Sequence, residues 1–314
     1  MIQTVNSDSS VTPLVSIVTI NYNGYNDTCA LLNSLSRVTS VRLDIIVVDN
    51  ASQSDDAERL RRAYPHVNVI ASQHNLGFSG GNNLGIRQAK GNYIFLLNND
   101  TELLITEGAP DTIASLVGLL SSSPTIGVVC PKIKFFADHT IQYAGFTPLS
   151  PVTLRNRSIG YGETDRGQYD RPCTTAFAHG AAMMLKRSAI EKAGLMPELY
   201  FLYYEEYDWS TKIQRAGYSI VYSPELTVYH KESQSTGQDS PLKTFYLTRN
   251  RLLYAYRNLP ATRFALSFLY QFFAAGLCKA MLLALRGNRT NARAIVRGLF
   301  AFFTIKNKKQ CLTL

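Results

Sequence analysis

The chain has 314 residues, 46% of them hydrophobic, and 32 Lys and Arg against 23 Asp and Glu give it a net charge of +9. That length can bury a large core and fits one large domain or two small ones. Five scattered cysteines without Cys-x-x-Cys spacing argue against a disulfide scaffold or a thiolate zinc site and predict a reducing cytoplasm.

Residues 1–13 are polar and lack a basic start and an apolar core, so they predict a tail rather than a secretory signal. An apolar strand then runs from Val15 to Ile20 and ends in Asn21-Tyr22-Asn23-Gly24. A helix is predicted over Asp27 to Arg37, followed by a second strand, Leu43 to Val48, that ends in Asp49-Asn50-Ala51-Ser52. The spacing predicts a helix over Ser54 to Tyr64, with two aspartates suited to its N-terminus. A third strand, Val67 to Ile70, leads into the glycine-rich stretch Asn75 to Gly85, and a fourth, Tyr93 to Leu97, ends in Asn98-Asn99-Asp100. Continuous apolar strands alternating with helices predict a parallel sheet covered on both faces. Four polar strand ends then share one rim, the place where open α/β sheets bind ligands. A carboxylate there, beside short amides, suits a hard divalent cation carrying phosphate oxygens.

Further on, Phe177 to Arg187 reads as a buried strand, with Ser188 capping a short helix that Gly194 ends. The aromatic run Leu199 to Tyr204 delivers Glu205, Glu206 and Asp208 to the first turn of a helix closing at Gly217. Crowded carboxylates near apolar rings push one another's pKa values apart, which suits a general base. Two short strands, Tyr218 to Pro224 and Leu226 to His230, follow; a lone histidine such as His230 carries no function by spacing alone. Arg155 to Arg171, rich in Arg, Gly and Asp, reads as an acceptor loop or a lid.

Charge divides the chain. Residues 240–314 hold thirteen Lys and Arg and no Asp or Glu, while residues 1–239 carry nineteen basic against twenty-three acidic side chains. Within the basic part, Phe264 to Leu285 is apolar apart from Lys279 and a few polar positions, and arginines flank it on both sides. Such a segment predicts peripheral contact with an anionic membrane surface in preference to spanning. No nucleic-acid module accompanies the basic segment, so nucleic acid is not predicted as a partner.

Taken in order, Asn21-Tyr22-Asn23, Val47-Val48-Asp49-Asn50-Ala51-Ser52, Asn75-Leu76-Gly77-Phe78, Gly81-Asn82-Asn83, Leu97-Asn98-Asn99-Asp100, Gly180-Ala181 and Phe201 to Asp208 resemble family two glycosyltransferases over roughly residues 14 to 235. More narrowly they resemble the rhamnosyltransferase-like branch that builds bacterial surface polysaccharides, including lipopolysaccharide O-antigen. The resemblance implies a GT-A (Rossmann-like) α/β fold over 14–239, with a mixed, mostly parallel sheet. A nucleotide-sugar half over about 14–130 precedes an acceptor half over about 131–239, and the basic helical segment 240–314 follows. It also implies that Asn21, Tyr22, Asn23 and Asp49 line the nucleotide pocket and that Asn75, Gly77 and Asn82 follow the ribose and diphosphate. Asn98-Asn99-Asp100 stands where the family has Asp-x-Asp, so Asp100 is the implied ligand of Mg2+ or Mn2+, with His230 completing the shell.

By the same resemblance Glu206 is the implied base of an inverting displacement, with Glu205 and Asp208 as alternatives. The donor is a dTDP- or UDP-linked sugar, rhamnose first. The acceptor is a saccharide or lipid-linked saccharide at the inner face of the cytoplasmic membrane. Two other classes compete: a sugar-phosphate nucleotidyltransferase, disfavoured because no cation follows the first strand, and a membrane-bound GT-A scaffold with weak or no activity, which Asn98 in place of an Asp leaves open. Dinucleotide and P-loop enzymes are disfavoured by the missing glycine and Gly-Lys-Ser/Thr spacings.

Overall fold

A computed structural model describes residues 12–104, 112–231 and 240–305. The expectations for residues 1–11, for Glu232, Ser233 and Ser235, and for Lys306, Lys308 and Lys309 lie outside the described residues.

Strand β1 (Leu14–Asn21), helix α1 (Tyr25–Leu35), β2 (Arg42–Asp49), α2 (Asp56–Ala63), β3 (Asn68–Ala71), α3 (Gly77–Gln88) and β4 (Tyr93–Leu97) form the first half. Then come β5 (Thr101–Glu102), α4 (Ile113–Ser121), β6 (Ile126–Phe135), β7 (Ile141–Tyr143), β8 (Cys173–Thr174), β9 (Ala182–Lys186), α5 (Arg187–Ala193), α6 (Glu205–Arg215), β10 (Ser219–His230) and α7 (Pro241–Asn258). An apolar helix, Ala261–Leu285, and a last helix, Arg289–Ile305, complete the chain.

The strands make one mixed sheet in the order β3-β2-β1-β4-β9-β6-β10-β5, with β7 beside β6 and β8 beside β10. β3, β2, β1 and β4 run parallel, as do β6 and β10, while β9 is antiparallel to both its neighbours. Alternate side chains of β2 serve the two faces. Val47 packs with Leu32 and Leu60, whereas Ile46 and Val48 join the main core. Helix α3 is the main surprise, because glycine normally weakens a helix interior. Gly81 and Gly85 recur every four residues on one face, where a Cβ would collide with Ile20 and Val18 of β1; the glycines let the helix lie against the sheet.

Several boundaries differ from expectation. The strand predicted over Phe177 to Arg187 is confined to β9, and α5 opens at Arg187 with Lys186 at its cap, so Ser188 lies inside it. The two strands predicted before His230 are one, β10, whose pairing with β6 slips between Ser223 and Thr227. Pro224 lies in that slip, where a residue with no ladder donor is tolerated. The loop through residue 171 is fastened: buried Lys132 donates to Asp165 (2.9 Å) and Asp170 (2.5 Å), and Lys134 donates to Asp165 (2.7 Å).

Helix α7 is packed into the α/β part. Leu252, Leu253 and Ala255 share a second core with Tyr200, Tyr204 and Leu154 from the α/β part and with Ile295, Leu299 and Phe302 of the last helix.

Candidate active site

The rim at the ends of β1 and β2 is built from short amides and acids bonded to one another. Asn21, fully buried, donates through Nδ2 to Asp49 Oδ1 (2.7 Å), Asp56 Oδ2 (3.0 Å) and Ser52 Oγ (3.1 Å), and its Oδ1 accepts from Thr28 Oγ1 (2.8 Å). Asn21 and Asp49 are therefore braced by the protein itself. Tyr22 and Asn23 are exposed, and Asn23 (φ 55°) accepts from the Gln53 backbone N–H (2.8 Å). Asn50, a residue the sequence reading gave no role of its own, ties the neighbouring loop. Its Nδ2 donates to Asn75 Oδ1 (3.1 Å) and Gly77 O (3.2 Å), and its Oδ1 accepts from Leu76 N (2.9 Å). Asn82 is buried and donates back to Phe78 O (3.1 Å). Asn99 turns toward α1, donating to Thr28 Oγ1 (3.1 Å), and the Asn98 backbone holds Ala181 and Thr101.

Asp100 and His230, 130 positions apart in sequence, meet because β5 pairs antiparallel with the end of β10, Thr101 opposite His230. His230 Nε2 lies 3.2 Å from Asp100 Oδ1. The other ring nitrogen, Nδ1, is 2.8 Å from Gln142 Oε1 on β7. An amide oxygen only accepts, so Nδ1 carries a proton there, and Nε2 is the ring nitrogen that faces Asp100. Asp100 Oδ1 is buried without a hydrogen-bond donor. A carboxylate and an imidazole nitrogen that face each other in this way fit a divalent cation, whose remaining positions would fall to substrate phosphate and water. No cluster of three or more His, Cys, Asp or Glu competes with this pair among the described residues. Burial, helped by the charge of His230, depresses His179 beside it to about 3 and keeps that ring neutral.

The second half of the site is the loop ahead of α6. Phe201, Tyr203 and Tyr204 all have positive φ (65°, 67° and 76°), conformations bulky residues adopt only when their surroundings impose them. The surroundings are identifiable. Phe201 O accepts from Phe78 N (2.7 Å) at the start of α3. From α7, buried Asn250 donates to Tyr200 O (3.1 Å), Leu202 O (2.7 Å) and Tyr203 O (2.7 Å), and Arg249 donates to Leu199 O (3.2 Å) and Tyr200 O. Neither residue was singled out from the sequence as a site residue, since nothing in its local pattern points to a loop some fifty positions upstream.

The loop presents Glu206 to a cavity of about 260 Å³, shared with Tyr203, Tyr204 and Tyr207; neither Glu205 nor Asp208 lines it. Burial raises the Glu206 carboxyl to about 7. Burial, then the neighbouring Glu206 charge, pushes Glu205 well above the carboxylate range. Asp208, 1% exposed, accepts from Tyr200 Oη (2.7 Å) and Arg257 Nε (2.6 Å). Its carboxylate fastens α6 to α7 through Arg257. Rings connect the cavity to the cation pair: Tyr207 meets Phe146 (5.8 Å), Phe146 stacks on His179 (5.5 Å), and His179 meets His230 (6.4 Å).

A mixed sheet with an amide-rich rim, a carboxylate–histidine pair and a separate carboxylate in a cavity defines a GT-A glycosyltransferase architecture. The family model for glycosyl transferase family 2 matches residues 16–194, more than half of the chain, and the chain belongs to that family. It is 28% identical over 246 residues to the low-salt glycan biosynthesis hexosyltransferase Agl10 of Haloferax volcanii, covering 76% of this chain and 74% of that one. It is 24% identical over 251 residues to the N-acetylglucosaminyl-diphospho-decaprenol L-rhamnosyltransferase of Mycobacterium tuberculosis, covering 73% and 80%. A 29% identical match to a Sinorhizobium fredii protein, y4gI, spans 74% of this chain but only 26% of that protein. Among solved structures, the mannosyltransferase PcManGT of Pyrobaculum calidifontis, in complex with GDP-Man and Mn2+, shares the fold with a TM-score of 0.55 at 17% identity, over 94% of this chain and 88% of that one.

Proposed function

We propose that this chain is a divalent-cation-dependent, inverting glycosyltransferase. It moves a sugar, rhamnose in the first place, from a dTDP- or UDP-linked donor to a lipid-linked saccharide during cell-surface polysaccharide synthesis. The observation that carries this reading is Glu206: a carboxylate tuned toward neutrality, facing a cavity, on a loop held in unfavourable backbone geometry. Glu206 takes the proton from an acceptor hydroxyl while that oxygen bonds to the anomeric carbon, and the bond from that carbon to the nucleoside diphosphate breaks with inversion. Glu205, kept neutral beside it, adds no second charge to repel the developing alkoxide. Asp100 and His230 would hold Mg2+ or Mn2+, which supplies charge neutralisation for the departing diphosphate. The braced rim of Asn21, Asp49, Asn50 and Asn75 orients the nucleotide without reorganising.

The rhamnosyltransferase relative, named for a diphospho-decaprenol substrate, supports the lipid-linked acceptor. The outer face of the Ala261–Leu285 helix supports work at the inner surface of the cytoplasmic membrane: Leu266, Leu269, Phe273, Met281 and Leu285 are exposed, and only 17% of its apolar window is buried. The test is thermal protection by nucleoside diphosphates and their sugars, with and without Mn2+, followed by slow donor hydrolysis. A ligand at a hundred times its Kd stabilises by about 2.7 kcal/mol. Metal-dependent protection with hydrolysis is expected. Protection without hydrolysis favours the inactive scaffold, and neither effect removes the donor site.

A further inference from the structure

The cavity beside Glu206 holds two cations for which proton abstraction has no use. Arg155 enters it from the loop after β7 and Arg251 from α7. Arg251 Nε donates to Tyr204 Oη (3.0 Å), and neither arginine pairs with a carboxylate among the described residues. Glu206 is the only acid lining the cavity among them. Unpaired guanidinium groups converging on one space are suited to phosphate, whose oxygens they meet with two parallel hydrogen bonds.

The loop that carries Arg155 is also bonded to the apolar helix. Ser267 Oγ donates to Val152 O (3.0 Å), and Gln271 Nε2 donates to Val152 O (3.2 Å) and Thr153 O (2.7 Å). From its other side the loop accepts Tyr204 Oη at Leu154 O (2.6 Å). The polar stripe of an otherwise apolar helix is therefore spent on the backbone just before Arg155, and the opposite stripe, with Leu269 at 54% and Phe273 at 50% exposure, faces outward. One rigid unit thus presents a phosphate-sized cationic cavity, a base and an apolar face. Those are the parts of an amphiphile's binding site: a charged head, a reacting hydroxyl and a hydrocarbon tail.

We propose that Arg155 and Arg251 bind the phosphate group of a prenyl phosphate or diphosphate that carries the acceptor saccharide, while its hydrocarbon chain stays in the bilayer that the outer face of Ala261–Leu285 enters. The proposal rests on the glycosyltransferase reading above and names the acceptor class for its cavity. It separates two phosphate sites: the donor diphosphate at Asp100 and His230, and the acceptor phosphate at the arginines.

The test is calorimetric titration of the full-length protein in detergent micelles with EDTA, so that no cation can recruit the probe to Asp100. Farnesyl diphosphate is the probe; inorganic diphosphate and farnesol are its two halves. Farnesyl diphosphate is expected to bind, with Arg155→Ala weakening it at least tenfold and an Arg155→Ala, Arg251→Gln pair at least a hundredfold. Uridine diphosphate should leave it in place. Arg155 is exposed and outside the packed core, so that variant stays readable if the pair fails to fold. No binding, equal binding by both variants, or displacement by uridine diphosphate overturns the proposal. Inorganic diphosphate binding as well as the prenyl ester overturns the lipid source. Mn2+-dependent protection by the nucleotide sugar, measured on the same protein preparations without EDTA, should be unchanged in every variant; its absence in the unaltered protein overturns the donor reading, whatever the arginines do.

Discussion

Glu206 and Glu205 are adjacent carboxylates that one loop places in different surroundings, and the difference sets what each substitution does. Glu206→Gln keeps the shape and removes the base, so kcat should fall by about 10²- to 10⁴-fold while Mn2+-dependent nucleotide protection persists. In the proposed mechanism the ionised form is the working form, so activity should rise as pH passes through about 7 and level off above it. Stability moves the other way. A carboxyl raised from 4.5 to about 7 by burial favours folding fully below the lower value and loses that contribution as pH rises through the upper one. Glu206→Gln should therefore raise Tm over the parent chain, and by more at pH 8 than at pH 5; an equal shift at both would place the pKa elsewhere. Gln142 acts on the other half of the site. Gln142→Leu frees the His230 ring to turn, and Mn2+ affinity, followed by electron paramagnetic resonance with nucleoside diphosphate present, should drop about 10- to 100-fold with the fold intact.

At the scale of elements, α3 shows what a sequence conceals. Its glycine-rich stretch carries no helix expectation because glycine is a poor helix former, yet Gly77, Gly81 and Gly85 keep the four-residue interval of a helix face. That interval was the available signal, and at Gly81 and Gly85 it marks contact with β1 rather than flexibility. Gly77 adds a second constraint, since its φ is +69° and a Cβ would overlap the Phe201 carbonyl. Gly77→Ala should cost at least about 1–2 kcal/mol in urea denaturation and loosen the base loop. The apolar strands and their polar ends were legible, because burial on both faces writes itself as an uninterrupted hydrophobic run. The strand β10 was divided in two at Pro224 because a proline ordinarily ends pairing, and here a slipped register absorbs it. Three acids in one helical turn look alike in sequence, but only the fold decides that Glu206 faces a cavity and that Asp208 meets Arg257. Arg257→Ala would leave that buried carboxylate short of its cation and should destabilise by about 3–5 kcal/mol.

For the whole molecule, the charge division and the packing division do not coincide. The basic segment begins at Ser240, but α7 is bonded to the α/β part through Arg249, Asn250 and Arg257, and the long apolar helix starts at Ala261. Replacing Leu269 and Phe273 by serine should abolish sedimentation with anionic vesicles and leave donor hydrolysis in solution unchanged. Salt should weaken vesicle binding of the parent chain, as expected when arginines assist an apolar anchor.

Asn250 has a consequence for how such chains can be recombined. A chimera joined at residue 240, where composition invites a cut, would separate the loop ahead of Glu206 from the Asn250 amide that holds three of its carbonyls. The loop would keep its sequence and lose its shape. Residues 199–203 and α7 form a single structural unit, and an exchange of the C-terminal helices has to carry both or be made after Asn258.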